Sequence, residues 1–462
     1  MIRKRGGIMM KFFSKLAVFA AVLVSASSLN CFADDSGEVI ALKQQVHDLT
    51  SKLSALEGKV SGLASREVAP SGPVLSAAES PRSGGLIHTI QDIRMGGYID
   101  VQYNQNLTNV HQNAPGSLAT AQGNPVRVFD NNQDTFSMNA AVLEFQKDPN
   151  PEGGVGFRFD LATGSNARTV AFATGLGADT NVDFQQAYID IVAPLSFLKD
   201  SEIFDDVIDI KVGRFWTLTG AEVVRSADNW NISRSLAFGY AIPLGHTGVR
   251  GTYKLFKDRV TTWFGVNNGW DNTIDNNKQK TMEGGFSFSP IENVTLTSTA
   301  LLGAELSHDT TVGGGTTTGG ANHRRFVLSN VALWNATSKL SFMGEINFGN
   351  QMRVLGLEGT TAKSAQWHSY AAYARYKLTD RLAVASRTEL FVDDDTFRFN
   401  GTTGISKDHQ NIWEQTFTLE YGIYENLIGR LEYRFDKSDD TNYFNGHMNQ
   451  QTIGGQLIYT FA

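Results

Sequence analysis

The sequence predicts an all-β protein: a transmembrane antiparallel β-barrel of about sixteen strands, with a short N-terminal coiled-coil helix before it. Two observations predict the barrel. Apolar and polar residues alternate with a period of two in many segments between residues 94 and 461, as in strands with one apolar face. The links between these segments are alternately short and long, which is typical of barrels that cross an outer membrane.

The N-terminus predicts export, with residues 1–33 as a signal peptide. Lys11 and Lys15 precede an apolar run at 16–24, and small Ala33 marks the expected cleavage site. The apolar run is too short to cross a bilayer as a helix. Cys31 is the only cysteine and lies in this segment, so the predicted mature chain has no thiol for a disulfide or a metal site.

Residues 34–65 predict a coiled coil, because apolar residues recur at alternating steps of three and four. This seam consists of Val39, Leu42, Val46, Leu49, Leu53, Leu56, Val60 and Leu63. Valine at one core position and leucine at the other favours two parallel strands without excluding three, and a lone amphipathic helix is the alternative. Residues 66–88 contain three prolines and read as a flexible linker, which leaves 89–462 for the barrel.

Individual segments show the period of two clearly. In 155–162, Val155, Phe157, Phe159 and Leu161 alternate with Gly156, Arg158, Asp160 and Ala162. Two places do not follow the pattern. The segment 136–145 has no consistent parity, and Arg214 shares a face with apolar residues, so we expect a bulge or an earlier strand end near Arg214.

Seven short and eight long links join sixteen predicted strands, which places both ends of the barrel on the same side. A membrane explains this arrangement, because in hydrocarbon every backbone N–H and C=O needs an internal partner and a closed sheet leaves no free edge. A water-soluble sandwich would instead need a second layer over the apolar face. The even count and the alternating links therefore favour the transmembrane barrel.

The face opposite the apolar one carries many charges. Nine basic and ten acidic residues on strands with clear parity are predicted to face the lumen: Asp100, Arg158, Asp160, Asp190, Asp209, Lys211, Arg250, Lys254, Glu283, Glu345, Arg375, Lys377, Arg387, Glu389, Glu414, Glu420, Arg430, Glu432 and Arg434. Such charges would be costly in an apolar core but remain solvated in a water-filled channel. A plugged structural barrel is the alternative.

The third long link, 217–245, differs from the others because it mixes aromatic residues with charges of both signs. Loops that line a pore have this composition, since charges brought against the opposite wall focus the field at the narrowest point. We therefore predict that this link forms the constriction, with Glu222, Arg225, Asp228 and Arg234 as candidate residues. The alternative is a loop that packs over the rim or against a neighbouring subunit.

The same region resembles a known family, the OmpL-like outer-membrane β-barrel porins. The resemblance is carried by five short stretches: Gly213-Arg214-Phe215, Gly220-Ala221-Glu222-Val223, Asn231-Ile232-Ser233-Arg234-Ser235, Phe238-Gly239-Tyr240-Ala241-Ile242-Pro243 and His246-Thr247-Gly248-Val249-Arg250. It implies a bacterial outer-membrane location and a channel function. The last strand is also similar to the C-terminal targeting pattern of outer-membrane proteins, although Ala462 follows the terminal aromatic Phe461.

Other function classes find little support. The histidines are scattered and no nucleophile elbow is present, so no enzyme, cofactor or metal site is predicted. The net charge of −7 argues against a nucleic-acid partner. The expected partners are outer-membrane lipid, the outer-membrane assembly machinery and further copies of the chain, with a trimer favoured. The alternative function is a structural or adhesive barrel, tethered to the cell wall through contact between the coiled coil and peptidoglycan.

Overall fold

The computed structural model describes residues 92–108, 123–173, 182–199, 201–256, 259–305, 311–312, 315–316, 323–354, 363–399, 409–441, 443–444 and 446–461. The predicted signal peptide (1–33), coiled coil (34–65) and linker (66–88) lie outside these residues, as does Ala462. Those predictions therefore stay predictions.

The described residues form a closed barrel of sixteen antiparallel strands, as predicted. Each strand pairs with its neighbours along the chain, and the last strand pairs with the first. The strands are β1 (Arg94–Asn106), β2 (Thr135–Lys147), β3 (Gly154–Thr163), β4 (Val182–Pro194), β5 (Val207–Trp216), β6 (Gly245–Leu255), β7 (Val260–Asn267), β8 (Thr281–Ile291), β9 (Val294–Ala304), β10 (Arg324–Trp334), β11 (Leu340–Val354), β12 (Lys363–Lys377), β13 (Leu382–Asp393), β14 (Gln410–Tyr424), β15 (Leu427–Ser438) and β16 (Asn449–Phe461).

The links alternate in length, which confirms the basis of the strand count. One end of the barrel has short turns such as 292–293 and 425–426, and the other end has long links such as 217–244. The second long link contains helix α1 (Ser165–Ala173). The short elements are the 3₁₀ turns Ser196–Leu198 and Ser226–Asp228, the π-helical turn Ala237–Ala241, and a hairpin of Thr311–Val312 with Gly315–Thr316. Among the described residues, no helix has the length and apolar character needed to cross a bilayer.

The irregular parity of β2 comes from a β-bulge. Asp100 pairs with Ala140 and the next residue, Val101, pairs with Met138, so Asn139 is the extra residue. One extra residue reverses the alternation of faces on either side of it. Met138 is therefore exposed on the outer side while Ala140 is buried.

Arg214 occupies an unbroken strand, contrary to the expectation of a bulge or an early end. β5 pairs in constant register with β4 as far as Arg214 and with β6 as far as Trp216. The Arg214 guanidinium is buried and donates two hydrogen bonds to Asp183, of 3.0 and 3.1 Å. The preceding Gly213 has φ +138°, and a Cβ there would lie 2.3 Å from the Ala187 carbonyl oxygen, so only glycine fits. A paired, buried arginine needs no change of register.

The largest hydrophobic cluster lies inside the barrel, at the end with the long links. Leu236, Phe238 and Ile242 of the third long link belong to it, together with Trp367 and Phe391 of the strands. Both strand residues lie close to a long link, and both are fully buried. Val126 and Phe129 of the first link, Val170 of α1 and Phe399, Tyr443 and Phe444 of later links also belong to this cluster. This half of the interior is packed and not filled with water.

Candidate functional site

The third long link, residues 217–244, is called the third loop from here on. It leaves the wall at β5 and β6 but contacts strands on the other side of the barrel. The Asn231 side-chain amide donates to Thr418 Oγ1 at 2.7 Å, and the Trp367 indole N–H donates to the Ala241 carbonyl oxygen at 3.2 Å. Because these partners lie on the inward faces of β14 and β12, the third loop folds into the barrel.

Two carboxylates on the inner wall each hold two consecutive backbone N–H groups of the third loop. Glu432 on β15 accepts from Ile232 N at 2.6 Å and Ser233 N at 2.9 Å. Glu389 on β13 accepts from Leu236 N at 2.7 Å and Ala237 N at 2.5 Å. Hydrogen bonds to an ionised acceptor are among the strongest in proteins. These two glutamates, called the carboxylate clamps, fasten the middle of the loop to the wall.

Arg387 on β13 is the centre of a second set of attachments. Its side chain is fully buried, and it donates to Glu414 Oε1 and Glu222 Oε1, both at 2.7 Å, and to the Ser233 carbonyl oxygen at 2.8 Å. Glu222 belongs to the third loop and Glu414 to the neighbouring strand β14. Arg387 therefore bridges one acid of the loop and one acid of the wall.

Two further arginines of β15 donate to carbonyl oxygens of the third loop. Arg434 reaches the Arg234 carbonyl at 2.6 Å, and Arg430 reaches the Ser226 and Asn229 carbonyls at 3.0 and 2.7 Å. Of the wall residues of β13–β15 that were predicted to stand in water, all but Glu420 are buried. A buried charge is tolerated only when it has partners: these arginines pair with acids, and the carboxylate clamps accept from backbone N–H groups.

The four constriction candidates fall into two groups. Glu222 is buried against Arg387, and Arg234 is buried within the loop, where its guanidinium donates to the carbonyls of Val223, Val224 and Ile232. The Arg234 donors therefore point into the loop and not towards the lumen. Arg225 and Asp228 remain partly exposed, and they pair at 2.9 Å.

A cavity of about 360 Å³ remains between the third loop and the inner wall of β1–β4. A continuous chain of ion pairs lines it. Arg158 lies 2.9 Å from Asp160 and 3.5 Å from Glu144, and Glu144 lies 3.1 Å from Arg225, which holds Asp228. These five residues, called the charge chain, comprise three carboxylates and two guanidinium groups, so their net charge is −1.

The other predicted lumen residues differ in how much water reaches them. Arg250 is buried against Glu283 at 2.6 Å, and Asp100 is buried and accepts from Gln456 at 3.0 Å. Towards the short turns the charges are more exposed. Examples there are Lys211, which lies 3.9 Å from Asp190, Arg375, which lies 2.5 Å from Glu420, and Lys254, which is exposed. The short-turn half of the lumen is thus the wetter half.

Asp271 in the fourth long link fixes the end of the third loop. Its Oδ1 accepts from Leu244 N at 2.6 Å and Gly245 N at 3.0 Å. Burial raises the pKa of Asp271 to about 7 despite these bonds. Asp275, the other acid of this link, has local partners, since it accepts from Asn277 N at 2.8 Å and pairs with Lys280. No cluster of metal-ligating side chains occurs within the described residues.

The raised pKa of Asp271 predicts a pH dependence of stability. Between its unfolded pKa, near 3.9, and about 7, the folded chain keeps a proton that the unfolded chain has lost. The free energy of unfolding should therefore fall as pH rises through this window, by at most about 4 kcal/mol. In the Asp271→Asn variant this contribution is absent. Urea unfolding of both proteins from pH 4 to pH 8 measures it, and a constant difference between them would contradict the prediction.

Comparison with solved structures gives several outer-membrane barrels. The channel DcaP of Acinetobacter baumannii has a TM-score of 0.52 at 10% identity, with 80% of this chain and 97% of that chain covered. OmpF of Salmonella typhi, solved with daunomycin, has 0.52 at 13%, with 80% and 97% covered. OprB of Pseudomonas putida has 0.51 at 14%, with 82% and 97% covered. At such identities the likeness shows a shared fold alone.

The sequence comparisons are more specific. No match was found among curated protein sequences. Residues 92–461 match the sequence model of a family described as "Putative beta-barrel porin-2, OmpL-like", which indicates a channel rather than an enzyme. Because this match spans most of the chain, the protein belongs to the OmpL-like β-barrel porin family; it lies in the bacterial outer membrane and forms a channel for passive diffusion.

Proposed function

We propose that small hydrophilic solutes and ions cross this porin through the cavity between the third loop and the wall of β1–β4, and that the passage favours cations. The third loop is fastened to the opposite wall by Arg387 and the carboxylate clamps, which leaves this side as the open one. The cavity volume of about 360 Å³ corresponds to roughly twelve water molecules at about 30 Å³ each.

The charge chain carries the proposed cation preference. Its net charge is −1, and Glu222, the other acid that lines the cavity, is neutralised by Arg387. A narrow passage with low-dielectric walls concentrates ions of opposite charge, so one uncompensated carboxylate has a larger effect here than on an open surface. The excess charge belongs to the chain as a whole, and Asp228 is the carboxylate that a passing ion meets most directly, because its side chain is the most exposed, at 53%.

Reversal potentials under a salt gradient test this proposal. Wild-type channels in a planar bilayer should favour K⁺ over Cl⁻. Arg225→Ala removes one positive charge and changes the chain from −1 to −2, so the preference for K⁺ should increase. Arg381→Ala is the matched control, since Arg381 is exposed in a short turn outside the passage. Anion preference in the wild type, or equal shifts of the reversal potential in both variants, would refute the proposed passage along β1–β4.

We also propose that the protein forms a homo-oligomer, with a trimer favoured. Barrels of this size commonly associate, and the heptad seam of residues 34–65 would add to such a contact. Outer-membrane lipid and the assembly machinery are the other proposed partners.

A tether from the coiled coil to peptidoglycan is the second candidate role. Co-sedimentation with peptidoglycan, lost on deletion of residues 34–65, would support that tether.

A further inference from the structure

The outward face of the barrel is not uniform. On β1–β5 it consists of large apolar side chains such as Ile99, Leu143, Phe157, Phe184, Ile210 and Val212. Near the middle of β9–β14 small and polar residues take their place: Ser298, Asn330, Gly344, Ala372, Thr388 and Gln415. Side chains at this depth meet hydrocarbon in a lone barrel, where polar groups are unfavourable.

The small residues form a groove across the strands. In the register, Ala332 pairs with Gly344, Gly344 with Ala372, and Ala372 with Thr388. A Cβ on Gly344 would meet nothing within 4 Å. The resulting groove has a volume of about 720 Å³, and Tyr370 is one of the large side chains that border it. Small residues in a row let another protein surface approach closely within a membrane.

Asn330 distinguishes a protein occupant from a lipid one. Its Oδ1 accepts from Ser298 Oγ at 2.9 Å, but its amide N–H groups donate to no acceptor within the described residues. By contrast, the Gln415 amide donates to Ser386 Oγ and the Arg387 carbonyl, both at 2.9 Å. An unsatisfied amide in hydrocarbon costs free energy, and an acyl chain offers no acceptor. A protein surface does offer acceptors.

We propose that the outer face of β9–β14 is where a second copy of this chain docks, with the groove and Asn330 at the centre of the contact. This assignment rests on the homo-oligomer proposed above. Six strands about 4.8 Å apart, over an apolar band about 25 Å tall, present roughly 700 Å². This is close to the about 800 Å² per partner of a standard protein interface. A second copy also carries hydroxyl and carbonyl oxygens, which can accept hydrogen bonds from the Asn330 amide.

Filling the groove tests the docking face. Gly344→Leu places a side chain where the partner would lie, and Gly455→Leu is the matched control. Gly455 is an outward glycine on β16, and a Cβ there makes only an ordinary contact of 3.7 Å with Leu431. In native mass measurements of the full chain, Gly344→Leu should lose the oligomer and Gly455→Leu should keep it. The conductance per barrel should be unchanged in both variants.

A photo-reactive benzophenone side chain supplies the second measurement. When this side chain replaces Ala332, on the groove floor, irradiation in the outer membrane should give a cross-linked adduct of twice the chain mass. When it replaces Leu143 on β2, irradiation should give no adduct of that mass. Three results would overturn the assignment: an adduct with lipid alone at Ala332, a double-mass adduct at Leu143 instead, or an oligomer that survives Gly344→Leu. A monomeric wild type would refute the homo-oligomer itself, together with its docking face, and would leave the channel proposal intact.

Discussion

Replacing Arg387 with alanine is expected to loosen the third loop from β13, where the Glu389 clamp remains, and to lower the free energy of unfolding by about 3–5 kcal/mol, the usual effect of breaking a buried ion pair. The change removes the shared partner of Glu222 and Glu414, which are both buried. Glu414 keeps Arg434 at 3.2 Å, but Glu222 would lose its ion-pair partner and become a buried, uncompensated carboxylate. The loop can relieve this cost by moving Glu222 into water.

The measurement is the temperature at which the folded barrel loses its resistance to SDS, together with protease cleavage within residues 217–244. Arg387→Lys retains the charge but not the forked geometry that reaches both acids, so its effect should be intermediate. Arg375→Ala is the matched control. Arg375 also faces inward, but its partner Glu420 keeps Arg430, and its side chain is about a quarter exposed. The loss there should stay below about 1 kcal/mol. Equal losses for Arg375→Ala and Arg387→Ala would contradict the assigned role.

The strand count and the outward faces were predictable because hydrocarbon imposes a local rule on the sequence. A strand that crosses the membrane must present apolar residues at every second position, whatever its neighbours are. Val155, Phe157 and Phe159 follow this rule and are readable without a structure. The bulge at Asn139 was not readable, because an extra residue shows only in the pairing with β1. It concealed the inward position of Glu144, a member of the charge chain.

The environment of the inward charges could not be predicted in the same way. Parity shows that Arg387, Glu389 and Glu432 point away from the lipid, but it does not show what lies opposite them. Water and a folded loop both satisfy a charged side chain, and they leave the same pattern along the strand. The composition of residues 217–245 indicated an unusual loop. Its attachment depends on backbone N–H groups, such as those of Ile232 and Ala237, which every sequence contains.

The contrast between Arg225 and Arg234 shows the same limit within the loop itself. Both arginines lie in the same mixed segment, and the sequence offers no reason to separate them. Arg234 is buried with Phe129 and Phe238 against its guanidinium, at 5.5 and 6.0 Å, whereas Arg225 bridges the loop and the wall at the edge of the cavity. The path of the loop decides which arginine meets water, and that path depends on contacts with β13–β15.

The carboxylate clamps carry the last prediction: the double variant Glu389→Ala, Glu432→Ala should increase single-channel conductance several-fold. Each substitution removes a carboxylate that accepts two hydrogen bonds from the loop backbone. A hydrogen bond to a charged group contributes about 1.5–3 kcal/mol, and the freed N–H groups would favour water. Arg387, Arg430 and Arg434 would be the remaining attachments to β13 and β15, so the third loop would spend part of its time away from these strands. The passage would then widen from the present cavity towards the full lumen of a sixteen-stranded barrel.

Arg225 makes this test specific for the loop. If the loop has left the wall, Arg225 no longer lies beside Glu144, and the charge chain is broken. Arg225→Ala should then shift the ion preference of the wild type but not that of the double variant. Glu283→Ala is the control, because Glu283 is a buried inward glutamate whose partner, Arg250, lies on the wall. A double variant with unchanged conductance, or one in which Arg225→Ala keeps its full effect, would show that the clamps do not hold the loop in the passage.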